Sequence, residues 1–247
     1  MPLASSPDLS RNVLSQFSLE NKVVLVTGGS RGIGLELVGA MAEAGASVAM
    51  IYNTTLDAPA KASHIAETNR VRVQAYEADV TNEEAITRVI DEVAKDFGRL
   101  DVVIANAGVC SNIESLDYTF ESWQKINSVN YDGVMWTARA AGRIFKRQGR
   151  GNLVITGSVS SMIVNVPQAQ AAYNASKAAA MHLAKCLAVE WVDFARVNCV
   201  SPGYINTEMI TKQPEHLMNT WLSQVPGGRL AEPAELKAVS SFMSSVE

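Results

Sequence analysis

The sequence predicts one α/β domain, a doubly wound parallel sheet of about six strands with helices on both faces. Three observations carry that expectation. The chain has 247 residues, 47% hydrophobic and 19% charged, which is ample apolar material for one large core without the charge excess that marks disorder. Short β-branched or apolar runs at 22–26, 47–52, 71–76, 100–105, 152–156 and 196–200 alternate with longer stretches of helical periodicity. No internal repeat or low-complexity linker interrupts them. Strands that alternate with helices imply a parallel sheet, because a parallel strand returns only through a crossover. Ligands then bind beyond the carboxyl ends of the strands, so the residues just after each run are where chemistry is sought.

Taken in order, residues 1–19 read as an N-terminal extension, broken by Pro2, Pro7, Asp8 and Arg11 before an apolar leader could form, and the domain runs over 20–247. After the first strand come Thr27, Gly28, Gly29, Ser30, Arg31, Gly32, Ile33 and Gly34, then an amphipathic helix to Ala44 with Gly45 placed to stop it. Glycines there let the chain turn sharply, let a pyrophosphate approach the backbone and let the helix pack closely on the sheet. The helix N-terminus offers free N–H groups to the phosphates. An ordinary tight strand-to-helix turn is the plain alternative.

The second strand ends at Tyr52, Asn53 and Thr54, without the Asp or Glu that would meet the ribose hydroxyls of NAD. Arg31 can pair with a 2′-phosphate, and Asn53 and Thr54 can donate to it, which favours NADP. A solvated loop charge is the competing reading of Arg31.

The fifth strand, Leu153 to Thr156, runs into Gly157 and Ser158, so the Ser158 hydroxyl lies just past a strand end; Ser160 and Ser161 compete with it. Tyr173, Asn174, Ala175, Ser176 and Lys177 lie in an alanine-rich helical stretch, which puts Tyr173 and Lys177 at i and i+4 on one face. A phenol titrates near ~10, and a neighbouring ammonium favours its phenolate, so the pair can move a proton near neutral pH.

The balance of 21 basic against 25 acidic residues, net charge −4, leaves no basic footprint for nucleic acid. No apolar run reaches the roughly 18 residues of a membrane span. Cys110, Cys186 and Cys199 are widely spaced and unpaired by motif, which fits reduced thiols in the cytoplasm and no metal site. His64, His182 and His216 lie away from strand ends, which weakens a serine–histidine hydrolase.

Together these residues resemble the short-chain dehydrogenase/reductase family, over about 19–240. Its T-G-x-x-x-G-x-G pattern is met by Thr27, Gly28, Gly32 and Gly34. Its N-N-A-G segment stands as Ala105, Asn106, Ala107 and Gly108, with Ala for the first Asn. The resemblance implies that Asp79 and Val80 meet the adenine, and that Pro202, Gly203, Ile205 and Thr207 hold the nicotinamide end. It implies a catalytic tetrad of Asn130, Ser158, Tyr173 and Lys177, with Tyr173 and Lys177 also touching the cofactor. Within the family, Ile51, Tyr52, Asn53 and the loop Val164, Asn165, Val166, Pro167, Gln168 look like the NADP-dependent fungal and yeast group of sorbose reductases, mannitol 2-dehydrogenases and stereospecific carbonyl reductases.

The resemblance implies a Rossmann domain that uses NADPH to reduce a ketone, a ketose or other carbonyl, to a secondary alcohol. Tyr173 would give the proton, Ser158 bond the carbonyl oxygen, Lys177 lower the Tyr173 pKa, and Asn130 anchor a water. Met162, Ile163, Val164 and Met209 are expected to make the substrate wall mostly apolar, whereas Asn112, Asn165 and Gln168 could hold ketose hydroxyls. Family members continue past the helix near Pro233 into a last strand and a glycine-rich end that this chain lacks, so a truncated sheet with an open edge is expected. The long helices at 122–146 and 171–192 imply a homodimer, with a tetramer in question. Two alternatives stay open: an acyl-chain or secondary-metabolite ketoreductase, and a catalytically silent NADP-binding or interaction protein.

Overall fold

The computed structural model describes residues 12–245. Six parallel strands form one sheet in the order β3-β2-β1-β4-β5-β6: β1 Val23–Thr27, β2 Ser47–Tyr52, β3 Val73–Glu77, β4 Val102–Ala105, β5 Asn152–Thr156 and β6 Arg196–Val200. Every residue of β1 and β4 is buried, as strands covered on both faces require. Helices α1 Gly32–Glu43, α2 Ala58–Asn69 and α3 Glu83–Phe97 connect the first four strands. The helical region α4 Phe120–Asn127 and α5 Gly133–Gln148 precedes β5, and α6 Ala171–Glu190 precedes β6. Three short helices follow: α7 Glu208–Thr211, α8 Glu215–Gln224 and α9 Lys237–Ser245.

Alternate strand residues feed two cores. Val24, Val26, Met50 and Ile104 pack with Leu37, Val38 and Met41 of α1 on one face. Leu25, Ile51, Val103 and Leu153 pack with Ile86 and Ile90 of α3 and Ile144 and Phe145 of α5 on the other. Both faces are therefore fixed by apolar burial, which also fixes the register. In that register Val26 lies opposite Met50 on one side and Ile104 on the other, and Ile104 lies opposite Val154. The carboxyl ends of β1, β2, β4 and β5 thus form one rim. Strand order reverses between β1 and β4, the topological switch point where a ligand crevice is expected.

Three strands begin later than the sequence runs. Leu100 is apolar and fully buried, but its N–H and C=O both bond the Gln148 side-chain amide, at 3.1 and 2.7 Å, so β4 starts at Val102. Val71 follows the left-handed Arg70 that ends α2, and pairing begins at Val73. β1 begins at Val23, one residue past Lys22, its first N–H bonded to the Asp101 carboxylate at 2.9 Å.

Residues 1–11 of the expected extension lie outside the described residues. Residues Leu14–Phe17 form a 3₁₀ turn, and the Phe17 ring lies 6.0 Å from Phe242 of α9. The helix expected over 122–146 is divided: one π-helical turn, Ser128–Asp132, separates α4 from α5. α9 docks beside α1 through Lys237, 2.6 Å from Glu43 and 3.6 Å from Glu36. Among the described residues β6 is an edge strand, with Val197 its one buried residue.

Candidate active site

One cavity of about 570 Å³ opens over the carboxyl ends of the strands and extends from the glycine loop after β1 to α6. Its first half is made by the loop and the start of α1. Gly28 has φ +63°, and a Cβ there would sit 3.0 Å from the Ala107 Cα, so the β1 and β4 loops touch through backbone. At Gly34 a Cβ would lie 2.1 Å from the Gly28 carbonyl oxygen and 2.6 Å from Asn106 Nδ2. The helix can start this close to the strand only without a side chain. The N-terminus of α1 has no side-chain cap, which leaves its first N–H groups free toward the cavity.

The remaining loop side chains differ in what they can do. Ser30 is buried and its hydroxyl donates to Thr55 Oγ1 at 2.8 Å. Asn106 is tied inward: its N–H bonds Thr27 Oγ1 at 3.0 Å and its Nδ2 donates to the Thr27 carbonyl at 3.0 Å, clamping the β4 end to the glycine loop. Arg31 is exposed, 3.9 Å from Glu208 across the cavity mouth, where Asn53 and Thr54 at the end of β2 also lie. Gly32 and Ile33 complete this edge, Gly32 facing Thr207 from the far side. Asp79 and Val80 line the cavity past β3, with Asp79 Oδ1 accepting from the Thr81 N–H at 2.9 Å.

Sequence reasoning missed Lys61. It stands on α2, donates to the Ser30 carbonyl at 3.2 Å and pairs with Asp57 at 3.0 Å, placing a second cation beside the loop. The i,i+4 spacing of Asp57 and Lys61 was legible, but their position under Ser30 was not.

The second half of the cavity is lined by Ala107, Gly108, Ser158, Tyr173, Lys177, Pro202, Gly203, Ile205 and Thr207. Tyr173 and Lys177 project from the first turns of α6, four residues apart. Lys177 is 4% exposed, and its ammonium donates to the Thr156 carbonyl at 2.7 Å and lies 6.0 Å from the Tyr173 ring centroid. Burial drives its pKa down to about 8. Tyr173 differs from the sequence expectation. Burial pushes its pKa up to about 12, against a hydrogen bond with Ser158 that works the other way. Desolvation, the largest cause, thus favours the protonated phenol.

Asn130 is the one predicted catalytic residue that does not line the cavity. It is fully buried in the π-helical turn; Oδ1 accepts from the Val109 N–H at 2.8 Å, and Nδ2 donates to the Val109 carbonyl at 2.9 Å and Ser176 Oγ at 3.1 Å. Both side-chain amide protons are therefore committed to protein. A Cβ on Gly108 would sit 3.4 Å from Asn130 Oδ1 and 3.5 Å from Lys177 Nζ, so Asn130 backs the wall beside the lysine. A π turn at this point fits the general association of such turns with functional sites.

The outer wall also departs from expectation. Met162, Ile163 and Val164 are 66, 57 and 81% exposed and do not line the cavity, because the loop after β5 turns Asn165 and Gln168 inward instead. Met209 does line it, as do Asn112, Gln170, Gln213, Tyr204 and Trp221. Of the competing serines, Ser160 lines the cavity but donates to Asn165 at 2.6 Å, and Ser161 donates to the Ser158 carbonyl at 2.6 Å. Ser158 is the hydroxyl beside Tyr173.

Comparison with known proteins agrees with this geometry. The family described as enoyl-(acyl carrier protein) reductase matches residues 28–247. A sorbose reductase of Candida albicans is 44% identical over 243 residues, covering 97% of this chain and 86% of that protein. An NADP-dependent mannitol dehydrogenase of Alternaria alternata is 43% identical over 232 residues, covering 93% and 87%. The crystal structure of an NADPH-dependent 3-quinuclidinone reductase from Rhodotorula rubra superposes with a TM-score of 0.93 at 40% identity, over 98% of this chain and 91% of that one. The same six-stranded order, glycine loop and tyrosine–lysine helix thus sit in a chain whose likeness to these enzymes runs nearly end to end, and it belongs to the short-chain dehydrogenase/reductase family.

Proposed function

We propose that this chain is an NADP(H)-dependent oxidoreductase that reduces a ketone, a ketose or other carbonyl, to a secondary alcohol. The observation that carries the reading is the single cavity that joins an uncapped, glycine-lined helix N-terminus to the Ser158, Tyr173 and Lys177 cluster. The cradle fits a dinucleotide: backbone closeness at Gly28 and Gly34 leaves room only for a bare loop, and free N–H groups face the cavity. Gly28, Ser30, Gly32, Ile33 and Gly34 would surround the pyrophosphate, Asp79 and Val80 the adenine, and Asn106, Ala107 and Gly108 the middle of the molecule. Pro202, Gly203, Ile205 and Thr207 would hold the nicotinamide end. Arg31, with Asn53 and Thr54, favours the 2′-phosphate, and no carboxylate stands at the end of β2 to oppose it. The names of the relatives from Alternaria alternata and Rhodotorula rubra support the same cofactor.

When bound, NADPH supplies the hydride that adds to the carbonyl carbon. Tyr173, whose burial favours the protonated phenol, gives its phenolic proton to the carbonyl oxygen, and Ser158 donates a hydrogen bond to the same oxygen. The phenolate left behind is stabilised by the Lys177 ammonium, whose own position is fixed by Thr156. Asn130 acts as a positioning residue: it holds Val109 and Ser176 and so sets the wall against which Lys177 lies.

NADPH oxidation by the purified protein, followed with L-sorbose, D-fructose, an aromatic ketone and a β-ketoester, tests the reading. Turnover of a ketone with NADPH, and slower turnover with NADH, is expected. NADPH binding without turnover of any of them would favour the silent cofactor-binding alternative.

We further propose a homodimer and a cytoplasmic setting. Exposed apolar groups on these helical segments, Phe120 and Trp123 of α4, Val189 of α6 and Val192 just past it, support the dimer. Light scattering on the eluting protein should give twice the chain mass of 26.6 kDa, and a monomer would remove the proposal. Three free thiols fit a reducing compartment, and no helix among the described residues is long and apolar enough to cross a membrane.

A further inference from the structure

The wall facing the reaction end contains buried side-chain amides that converge on one phenol, each oriented by its own partners. Trp221 is 2% exposed, and its indole nitrogen can only donate. It donates to Gln168 Oε1 at 2.7 Å, which obliges the Gln168 amide to turn Nε2 the other way, where it donates to the Tyr204 hydroxyl oxygen at 3.1 Å. Asn165 arrives at the same oxygen from another side. Its Oδ1 is taken by Ser160 Oγ at 2.6 Å and Gln170 Nε2 at 2.9 Å, so its Nδ2 faces Tyr204, also at 3.1 Å.

The Tyr204 oxygen therefore receives two N–H donors, and both of its acceptor positions are filled. Its own proton must leave in a third direction. Among the described residues no acceptor takes it, and Tyr204 lines the cavity. The ring is held from turning by stacking on Trp221, with centroids 4.9 Å apart and planes at 14°. Asn165 and Gln168 are 6 and 8% exposed, so water does not readily compete for these amides.

We infer that Tyr204 is a specificity-determining residue, a fixed hydrogen-bond donor that reads an oxygen of the substrate away from its reacting carbonyl and so selects polyhydroxylated ketones over hydrocarbon ketones. The inference rests on the reductase reading and deepens it. Tyr204 is distinct in role from Tyr173: one gives a proton to the reacting oxygen, the other only points a hydrogen bond at a hydroxyl oxygen. A site whose buried groups are oriented to bond a substrate hydroxyl discriminates against the analogue that lacks it, because the site's donor is then left unpaired.

The test is the ratio of kcat/KM for a ketose, L-sorbose or D-fructose, to kcat/KM for hexan-2-one, measured with NADPH in the wild-type chain, Tyr204→Phe and Trp221→Phe. Tyr204→Phe keeps the stacked ring and removes the donor, and the ratio should fall about 3- to 10-fold, the worth of one neutral hydrogen bond. Trp221→Phe removes the donor that orients Gln168, frees that amide to flip, and should lower the ratio in the same direction. The double variant should fall no further than Tyr204→Phe alone. A purely structural role would lower both substrates together, leave the ratio unchanged and overturn the inference while the reductase reading stands. Failure of the wild-type chain to reduce either class of ketone would overturn the reductase reading, and this inference with it. Thermal midpoints of the variants, taken alongside, separate loss of fold from loss of selectivity.

Discussion

Two glycines of the same helix should respond in opposite directions to the same substitution. Gly34 and Gly39 both lie in α1, and alanine is better than glycine in a helix interior by ~0.8–1 kcal/mol. At Gly39 a Cβ would meet nothing within 4 Å, so Gly39→Ala should gain about that amount. At Gly34 the new Cβ would lie 2.1 Å from the Gly28 carbonyl oxygen, although real Cβ contacts do not fall under 3.0 Å. The strand end and helix must therefore separate by about 1 Å, and overpacking of this kind costs ~1–3 kcal/mol, more than the propensity gain. For a chain of this size ~1 kcal/mol moves the thermal midpoint by about 2–4 °C. Gly39→Ala should melt about 2–4 °C higher than the parent, and Gly34→Ala several degrees lower.

Scanning calorimetry reads the stability, and NADPH fluorescence titration reads the cradle. The loop that must move at Gly34 is the one that presents its N–H groups to the cofactor. Losing one charge-assisted hydrogen bond there should weaken NADPH binding by about tenfold or more, while Gly39→Ala leaves binding unchanged. Equal midpoints for the two variants, or unimpaired NADPH binding by Gly34→Ala, would refute the claim that backbone closeness at this loop forms the cofactor site.

Arg31→Ala should lower the preference for NADPH over NADH by about tenfold in kcat/KM; an unchanged preference would shift the selectivity to Lys61 or to the β2 end. Ketone reduction should lose rate as pH rises through about 8, since burial depresses the Lys177 pKa to that value and its charge is lost above it, while Tyr173 keeps its proton to about 12. A profile flat to pH 10 would separate Lys177 from the chemistry. Asn130→Ala should reduce kcat more than it raises KM, because Val109 and Ser176 lose their shared partner; a pure KM effect would contradict its positioning role.

The strands at 47–52, 152–156 and 196–200 were legible to the residue, 152–156 because Gly151 and Gly157 bracket it and the other two because Asn53 and Ser201 close them. The start of β4 was not, since an apolar run cannot reveal that Gln148, remote in sequence, would take both backbone groups of Leu100. The glycine loop, Ser158, Tyr173 and Lys177 could be read because each follows a strand end or shares a helix face, relations that depend on local spacing alone. Electrostatics was less legible. The ammonium four residues from Tyr173 suggested a lowered phenol pKa, whereas the balance depends on how deeply both groups are buried. The substrate wall was misread for a similar reason. Met162, Ile163 and Val164 are as apolar as any core segment, but the loop turns its amides inward, because Ser160, Gln170 and Tyr204 supply their hydrogen bonds.

The central claim, that a cavity-lining phenol supplies the proton for ketone reduction, is tested most directly by Tyr173→Phe. The substitution removes one oxygen and leaves the ring and α6 in place. Single-turnover oxidation of prebound NADPH on addition of the best ketone substrate should become undetectable, while NADPH titration gives an affinity within about twofold of the parent. Retained NADPH oxidation at a substantial fraction of the parent rate would contradict the account and move the proton source to another group.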